Sequence, residues 1–261
     1  MTTPPQVALV TGSSGGIGRA IALRLAEMGA AVAVVARLDA RYPATPQDAV
    51  NEIISSGGRA VAFECDLSVA KERAGLVTRV EAELGGVDIL VNNAAVSNFD
   101  YLASFKLSRL DLMLDVQVRT PLELAQAVLP GMKNRGRGWI VNVSSKAADH
   151  PTIPPVREGV SLNTVYGMCK AAVERFSTGL AAELYDDGID VNALAPTYIV
   201  PTFGAKAFFD LAQRELESPD DMARATAALI RPLEARITGG VLYSQDVLAS
   251  VGLRPAEVVL P

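Results

Sequence analysis

Residues 6–93 alternate between two kinds of segment, and that alternation constrains the fold more than any other feature. "QVALVT" (6–11), "AAVAVVAR" (30–37), "RAVAFEC" (59–65) and "VDILVNN" (87–93) are short apolar runs without polar alternation. Each reads as a strand buried on both faces. The segments between them have helical spacing. In "GIGRAIALRLAEMG" (16–29), Ile17, Ile21, Leu25 and Met28 recur on one face and Gly29 closes the helix. In "TPQDAVNEIISSGG" (45–58), Thr45 is the expected N-cap and Pro46 the first helical residue. "SVAKERAGLVTRVEAELGG" (68–86) reads as a third helix. Buried strands joined by helices predict a parallel sheet covered on both faces. Right-handed crossovers then make it a doubly wound, three-layer α/β/α fold of Rossmann type.

The second half continues the pattern. A helical region over about 108–134 contains Pro121, expected either to kink it or to mark a start. "GWIVNVSS" (138–145) and "IDVNALAP" (189–196) read as strands, and 163–186 and 219–230 as helices. No internal repeat or linker divides the chain, so residues 1–261 are expected to form one dinucleotide-binding domain, with a substrate cap at about 197–217.

Composition removes several function classes. A net charge of −5 argues against nucleic acid or an anionic membrane surface as partner. One histidine and two cysteines make a His- or Cys-rich metal site improbable, and no carboxylate cluster suggests magnesium. Cys65 and Cys169 are too few for a disulfide framework and are expected as buried free thiols. No apolar run reaches the roughly 18 residues of a spanning helix, and "MTTPPQ" does not resemble a signal peptide. The expected setting is cytoplasmic.

The first strand runs into "TGSSGGIG" (11–18). Gly12, Gly16 and Gly18 suit a tight turn that lets backbone come close to a ligand or a neighbouring element. The helix that follows offers unpaired N–H groups and the positive end of its dipole to a pyrophosphate. A glycine-rich turn alone is a common loop; between a first strand and a helix it points to a dinucleotide. Farther on, Tyr166 and Lys170 in "TVYGMCKAA" (164–172) fall one helical turn apart on one face. An ammonium beside a phenol favours the phenolate and predicts a lowered tyrosine pKa, which suits a general acid/base.

T-G-x-x-x-G-I-G, "NNAA" after the fourth strand, a serine after the fifth and Y-x-x-x-K occur in this order. Together they resemble the short-chain dehydrogenase/reductase family in its compact single-domain branch. The resemblance implies a nicotinamide dinucleotide cofactor and hydride exchange with a carbonyl or secondary alcohol. It makes Tyr166 the acid/base and Lys170 its partner, which also holds the nicotinamide ribose. Ser145 then binds the substrate oxygen, with Ser144 as the register alternative. It assigns Ser14, Ile17, Asp66, Leu67 and Asn93 to the cofactor site with the three glycines, and Asp66 to the adenine. Asn92 opens the N-N-A-A segment, with Ala95 in the family's glycine position; Asn92 also has a purely structural reading, tying neighbouring strands together. After the sixth strand, Pro196, Ile199 and Thr202 match the family, while Thr197 replaces a glycine. Ile199 is expected to offer backbone groups to the carboxamide, and Thr202 its hydroxyl to that group or the phosphates.

At the end of the second strand the family's acidic position holds Ala36, and Arg37 follows. An arginine fork suits the 2′-phosphate of NADP, the expected cofactor, with NAD as the alternative. Asp39 stands two residues on, and a solvated loop charge is the plainer role for Arg37. Two departures stand out. The family's asparagine in the long helix, which holds a water leading to the lysine, is here Gln117, so the proton relay is expected to be present but rearranged. Ser145 and Tyr166 are 21 positions apart, more than is usual, with Pro151, Pro154 and Pro155 in the inserted loop. His150 at its start is expected to be an exposed loop residue.

Phe203, Phe208 and Phe209 in the cap favour a small-to-medium hydrophobic substrate if they face the pocket; such a stripe is otherwise core packing. The tail "GGVLYSQDVLASVGLRPAEVVLP" is expected to dock on the same or a neighbouring subunit, in a homodimer or homotetramer. The rival functions are a dehydratase or epimerase that retains its cofactor, and a catalytically weak NADP-sensing protein.

Overall fold

A computed structural model describes residues 5–40, 42, 44–153, 162–230 and 236–258. Seven strands form one parallel sheet: β1 (Val7–Thr11), β2 (Ala31–Ala36), β3 (Arg59–Glu64), β4 (Ile89–Asn92), β5 (Gly138–Val143), β6 (Ile189–Ala195) and β7 (Val241–Tyr243). Their order is β3-β2-β1-β4-β5-β6-β7. The order reverses between β1 and β4, where crossovers leave on opposite faces and open a crevice beyond the strand ends. The glycine turn and the Asn92–Asn93 pair sit at that point.

One face of the sheet carries α1 (Gly16–Glu27), α2 (Pro46–Ser55), α9 (Pro219–Leu229) and α10 (Ser244–Ser250), packed through Ile21, Leu25, Ile53, Met222 and Leu248. The other carries α4 (Leu76–Leu84), α6 (Thr120–Arg135) and α7 (Thr164–Glu183), packed through Leu76, Val80, Leu124, Met132 and Leu180. Short α3 (Ala70–Ala74), α5 (Leu107–Leu114) and α8 (Phe203–Lys206) lie in the connections. A side chain such as Ile140, wholly removed from water, stabilises the fold by about 1.5–3 kcal/mol. Thr45 and Asp48 form a reciprocal capping box, and Pro46 opens α2.

Several elements differ from the sequence expectation. The helix expected at 68–86 breaks at Gly75, which ends α3 and precedes α4. The long helical region divides at a π-helical turn, Asp115–Arg119, before α6. Pro121 lacks the N–H that would bond to the carbonyl of Gln117, four residues back, and the Asp115 carbonyl accepts both the N–H of Thr120, five residues on, and its hydroxyl (2.8 Å). The tail docks on its own chain: β7 extends the sheet beside β6, and α10 packs on α9. Cys65 and Cys169 are free and buried. Of the proline loop, Pro151 is described and His150 is exposed; Pro154 and Pro155 lie outside the described residues.

Candidate active site

The glycine turn is shaped by φ angles and by close approach. Gly12 (φ 65°) and Gly16 (φ 54°) take left-handed conformations that a side chain would strain. A Cβ on Gly18 would lie 2.3 Å from the Gly12 carbonyl oxygen and 2.4 Å from Asn93 Nδ2, so α1 can press onto the turn only without one. Gly15, the N-cap of α1, supplies no side-chain cap, which leaves first-turn N–H groups free for an anion. Ser13 ties the turn down: its hydroxyl donates to the Val10 carbonyl (2.7 Å) and accepts from the Val35 N–H (3.0 Å). Ser14 and Ile17 are partly buried around it. Gly18→Ala is expected to lower Tm by about 5 °C, from an overpacking cost of roughly 1–3 kcal/mol. Gly15→Ala, where a Cβ meets nothing within 4 Å, should leave Tm nearly unchanged; differential scanning fluorimetry compares them.

The end of β4 braces this turn. Asn93 Nδ2 donates to the carbonyls of Thr11 (2.9 Å) and Gly12 (3.2 Å), and the Thr11 hydroxyl accepts from the N–H groups of Asn93 and Ala94. Asn92 is buried and donates to Asn142 (2.8 Å), which donates to Ser177 on α7 (2.8 Å). This amide ladder fixes β4, β5 and α7 relative to one another.

At the end of β2, the Arg37 guanidinium is 36 % exposed and pairs with Asp39 (2.9 Å). Asp66, after β3, accepts on one oxygen from the Ser68 N–H and hydroxyl. Burial raises its pKa, but those two hydrogen bonds and the Arg37 charge outweigh it and hold the carboxyl below its ordinary value. The Leu67 carbonyl is gripped by Arg73 (2.7 Å), whose guanidinium forks onto Glu123 (2.8 and 3.1 Å). That buried clamp anchors the Asp66–Leu67 turn to α6.

On the other side of the crevice, Tyr166 opens the first turn of α7, with Lys170 one turn on. The two serines after β5 point differently. Ser144 is buried and donates to Glu174 (2.6 Å), whereas the Ser145 hydroxyl reaches the Tyr166 phenol, as does Ser97 from the β4–α5 connection. Burial pushes the phenol up to about 12, against the lowering by those hydroxyls. Lys170 is 3 % exposed. Its ammonium donates to the Val143 carbonyl (2.8 Å) and lies 5.7 Å from the Tyr166 ring centroid. Burial pushes it down to about 8. The expectation of a lowered tyrosine pKa is therefore corrected for the protein without cofactor. A lysine that loses its proton near 8 is neutral before the phenol ionises, so it does not stabilise the phenolate. Gln117, buried in the π turn that packs against α7, donates to the Val96 carbonyl (3.1 Å). Its Oε1 has no partner among the described residues, and so offers a free acceptor.

After β6, Thr202 caps α8 by accepting from the Ala205 N–H (3.1 Å), and its methyl lies against Gly16. Pro196 begins this turn. The Ile199 N–H donates to the Glu215 carbonyl (3.2 Å) and its carbonyl accepts from the Glu217 N–H (3.0 Å). Both backbone groups expected to meet a carboxamide are engaged with the cap here. Phe99 covers Tyr166 edge-on (5.3 Å between centroids), and Phe208 and Phe209 pack on Phe99 (4.9 and 5.5 Å).

A family described as short chain dehydrogenase matches residues 6–210. The chain belongs to the short-chain dehydrogenase/reductase family. It is 38 % identical over 203 residues to a short chain dehydrogenase of Pseudocercospora fijiensis, spanning 77 % of this chain but only 62 % of that relative. It is 32 % identical to the short-chain reductase protein NovJ of Streptomyces niveus, covering 91 % of each. The crystal structure of a metagenomic short-chain oxidoreductase in complex with NADP superposes with a TM-score of 0.76 at 32 % identity, covering 92 % of this chain and 96 % of that one.

For this short-chain dehydrogenase, a dinucleotide fits the residues present: a side-chain-free cradle at Gly12, Gly16 and Gly18, an uncapped helix N-terminus, and Arg37 with Asp66 at one end. Three contributors went unread in the sequence. Ser97 and Phe99 carry no motif and reach Tyr166 only through the path of the β4–α5 connection. Gly167 permits close packing: a Cβ there would lie 2.3 Å from the Ala147 carbonyl, so it lets α7 approach the Ser145 turn. Among the described residues no group of His, Cys, Asp or Glu is arranged to hold a metal ion, and no helix is long and apolar enough to cross a membrane.

Proposed function

We propose that this oxidoreductase uses NADP(H) to interconvert a small-to-medium hydrophobic ketone or aldehyde and its alcohol, as a cytoplasmic homo-oligomer. The carrying observation is the partly buried Tyr166, whose phenol is reached by the Ser145 and Ser97 hydroxyls and backed by Lys170. When bound, NADPH supplies the hydride. Ser145 then orients the carbonyl oxygen. Tyr166, protonated at neutral pH, gives its proton to that oxygen as negative charge develops there. Lys170, its ammonium 5.7 Å from the centre of the Tyr166 ring, would hold the cofactor ribose. Phe99, Phe208 and Phe209 form an apolar roof that favours hydrophobic substrates. Exposed Leu107, Leu122 and Met168 on α5, α6 and α7 support self-association, and two free buried thiols suit a reducing compartment.

NADPH oxidation, followed at 340 nm over a panel of ketones and aldehydes, tests the reading. Stoichiometric loss of NADPH with an apolar carbonyl supports it; tight NADPH binding with no turnover on any carbonyl favours the sensing alternative. Arg37 is the basis for preferring NADP. Arg37→Ala is expected to raise the Kd for NADPH about tenfold, the loss of one charge-assisted contact, and to leave that for NADH within about twofold. Fluorescence titration with both cofactors measures the pair.

A further inference from the structure

Glu217 is an acid in an apolar place. It is 1 % exposed, just ahead of α9 and 15 positions beyond Thr202, the last residue the family resemblance assigns. One carboxylate oxygen accepts two consecutive backbone N–H groups, Thr197 (2.9 Å) and Tyr198 (3.1 Å). The Ser244 hydroxyl stands beside the same carboxylate and favours its ionised form. The Glu217 N–H donates to the Ile199 carbonyl. One residue thus holds 197, 198 and 199, the turn between Pro196 and Thr202.

Successive N–H groups converging on one point form an anion-binding nest, filled here from within the chain. Thr197, which stands where the family has glycine, is drawn into the same network. Its N–H is shared between Glu217 and Ser244 (3.1 Å), and its hydroxyl accepts from the Gln245 N–H at the start of α10 (3.2 Å). The other end of the turn bears on the phosphate turn through the Thr202 methyl against Gly16. A buried carboxylate with one oxygen unpartnered is a costly way to stabilise a fold, since an apolar side chain of similar size serves packing better. What it supplies in exchange is a fixed position for the Thr197 and Tyr198 backbone, whose N–H groups it accepts.

We propose that Glu217 is a positioning residue for the nicotinamide half of the cofactor site: its carboxylate sets the 196–202 turn at the distance from the glycine turn that a full dinucleotide spans. This rests on the NADP(H) reading above. Adenosine-end contacts come from Arg37, Asp66 and the glycine turn, none of which touches Glu217. The two halves of the ligand therefore report separately.

The experiment compares binding of NADPH and of 2′,5′-ADP, which carries only the adenosine half, to wild type, Glu217→Gln and Ser244→Ala, with Tm recorded for each. Glu217→Gln keeps an acceptor oxygen but removes the charge that strengthens its hold on the Thr197 and Tyr198 N–H groups; it is expected to weaken NADPH about tenfold, while 2′,5′-ADP stays within about twofold. Ser244→Ala removes the hydroxyl that stands beside the carboxylate and shares the Thr197 N–H, leaving the carboxylate itself in place. It should shift NADPH in the same direction by a smaller factor, and it keeps the test alive if Glu217→Gln does not fold. Equal weakening of both ligands, or of neither, in the variants that fold overturns the proposal and leaves Glu217 a structural residue. Wild-type protein that binds neither ligand would instead overturn the cofactor reading itself.

Discussion

Tyr166→Phe is expected to lower kcat for carbonyl reduction by about 10³-fold, within the range that general acid catalysis contributes. The Kd for NADPH should stay within about twofold. The ring is retained, so its edge contact with Phe99 at 5.3 Å survives and the roof stays in place. Only the hydroxyl shared with Ser145 and Ser97 is lost. Retention of more than a tenth of wild-type kcat would remove Tyr166 from the acid role. The pH dependence separates the phenol from the lysine. Tyr166 stands near 12 in the protein without cofactor, above the working range. Lys170 stands near 8 and is active here as the ammonium. Protonated lysine is present below that value and lost above it. Accordingly kcat/KM for NADPH, which reports the free enzyme, should be level up to about pH 8 and fall above it. A profile level to pH 9.5 would dissociate Lys170 from cofactor capture.

The legible parts of this molecule are those where one residue type answers one local demand. β1, β2, β4 and most of β6 are buried on both faces, so their sequences are continuous apolar runs. Gly12 and Gly16 carry positive φ. Tyr166 and Lys170 are spaced by a helix turn that α7 supplies. Longer-range arrangements left weaker traces. Ser97 and Phe99 reach the phenol because the chain after β4 folds back over α7. Glu217 meets N–H groups 19 and 20 positions away, and nothing in "ELESPDD" marks it as buried. Gln117 is legible by position, but the π turn that holds it is not, because the bond from the Thr120 N–H to a carbonyl five residues back leaves no periodicity in the sequence. The direction of the tyrosine's pKa in the protein without cofactor is not legible either: the sequence shows a neighbouring ammonium, but not the desolvation that both groups share.

That shared burial has a second consequence. Lys170→Met should abolish most activity and yet raise the stability of the unliganded protein. The ammonium's protein acceptor is the Val143 carbonyl; the charges that favour it, from Cys169 and Glu174, are outweighed by desolvation. Methionine fills a similar volume without a charge to desolvate. A pKa moved from 10.5 to about 8 corresponds to on the order of 3 kcal/mol, or roughly 6–12 °C in Tm. The sign follows from proton counting. Between about 8 and 10.5 the unfolded chain holds a proton that the folded chain has released, so wild-type stability rises with pH across that window. Below 8 both states are protonated and the folded state bears the full cost. The gap between Met variant and wild type should therefore be widest below pH 8 and narrow steadily above it. Thermal melts from pH 6 to 9.5 without cofactor measure it. Saturating NADPH should narrow the gap further, because on the proposed mechanism the ribose hydroxyls give the ammonium partners that methionine cannot use. A variant less stable than wild type at pH 7, or a gap unchanged across pH 8–9.5, would show that the buried ammonium costs the fold little, and that the low proton affinity of Lys170 does not arise from its burial.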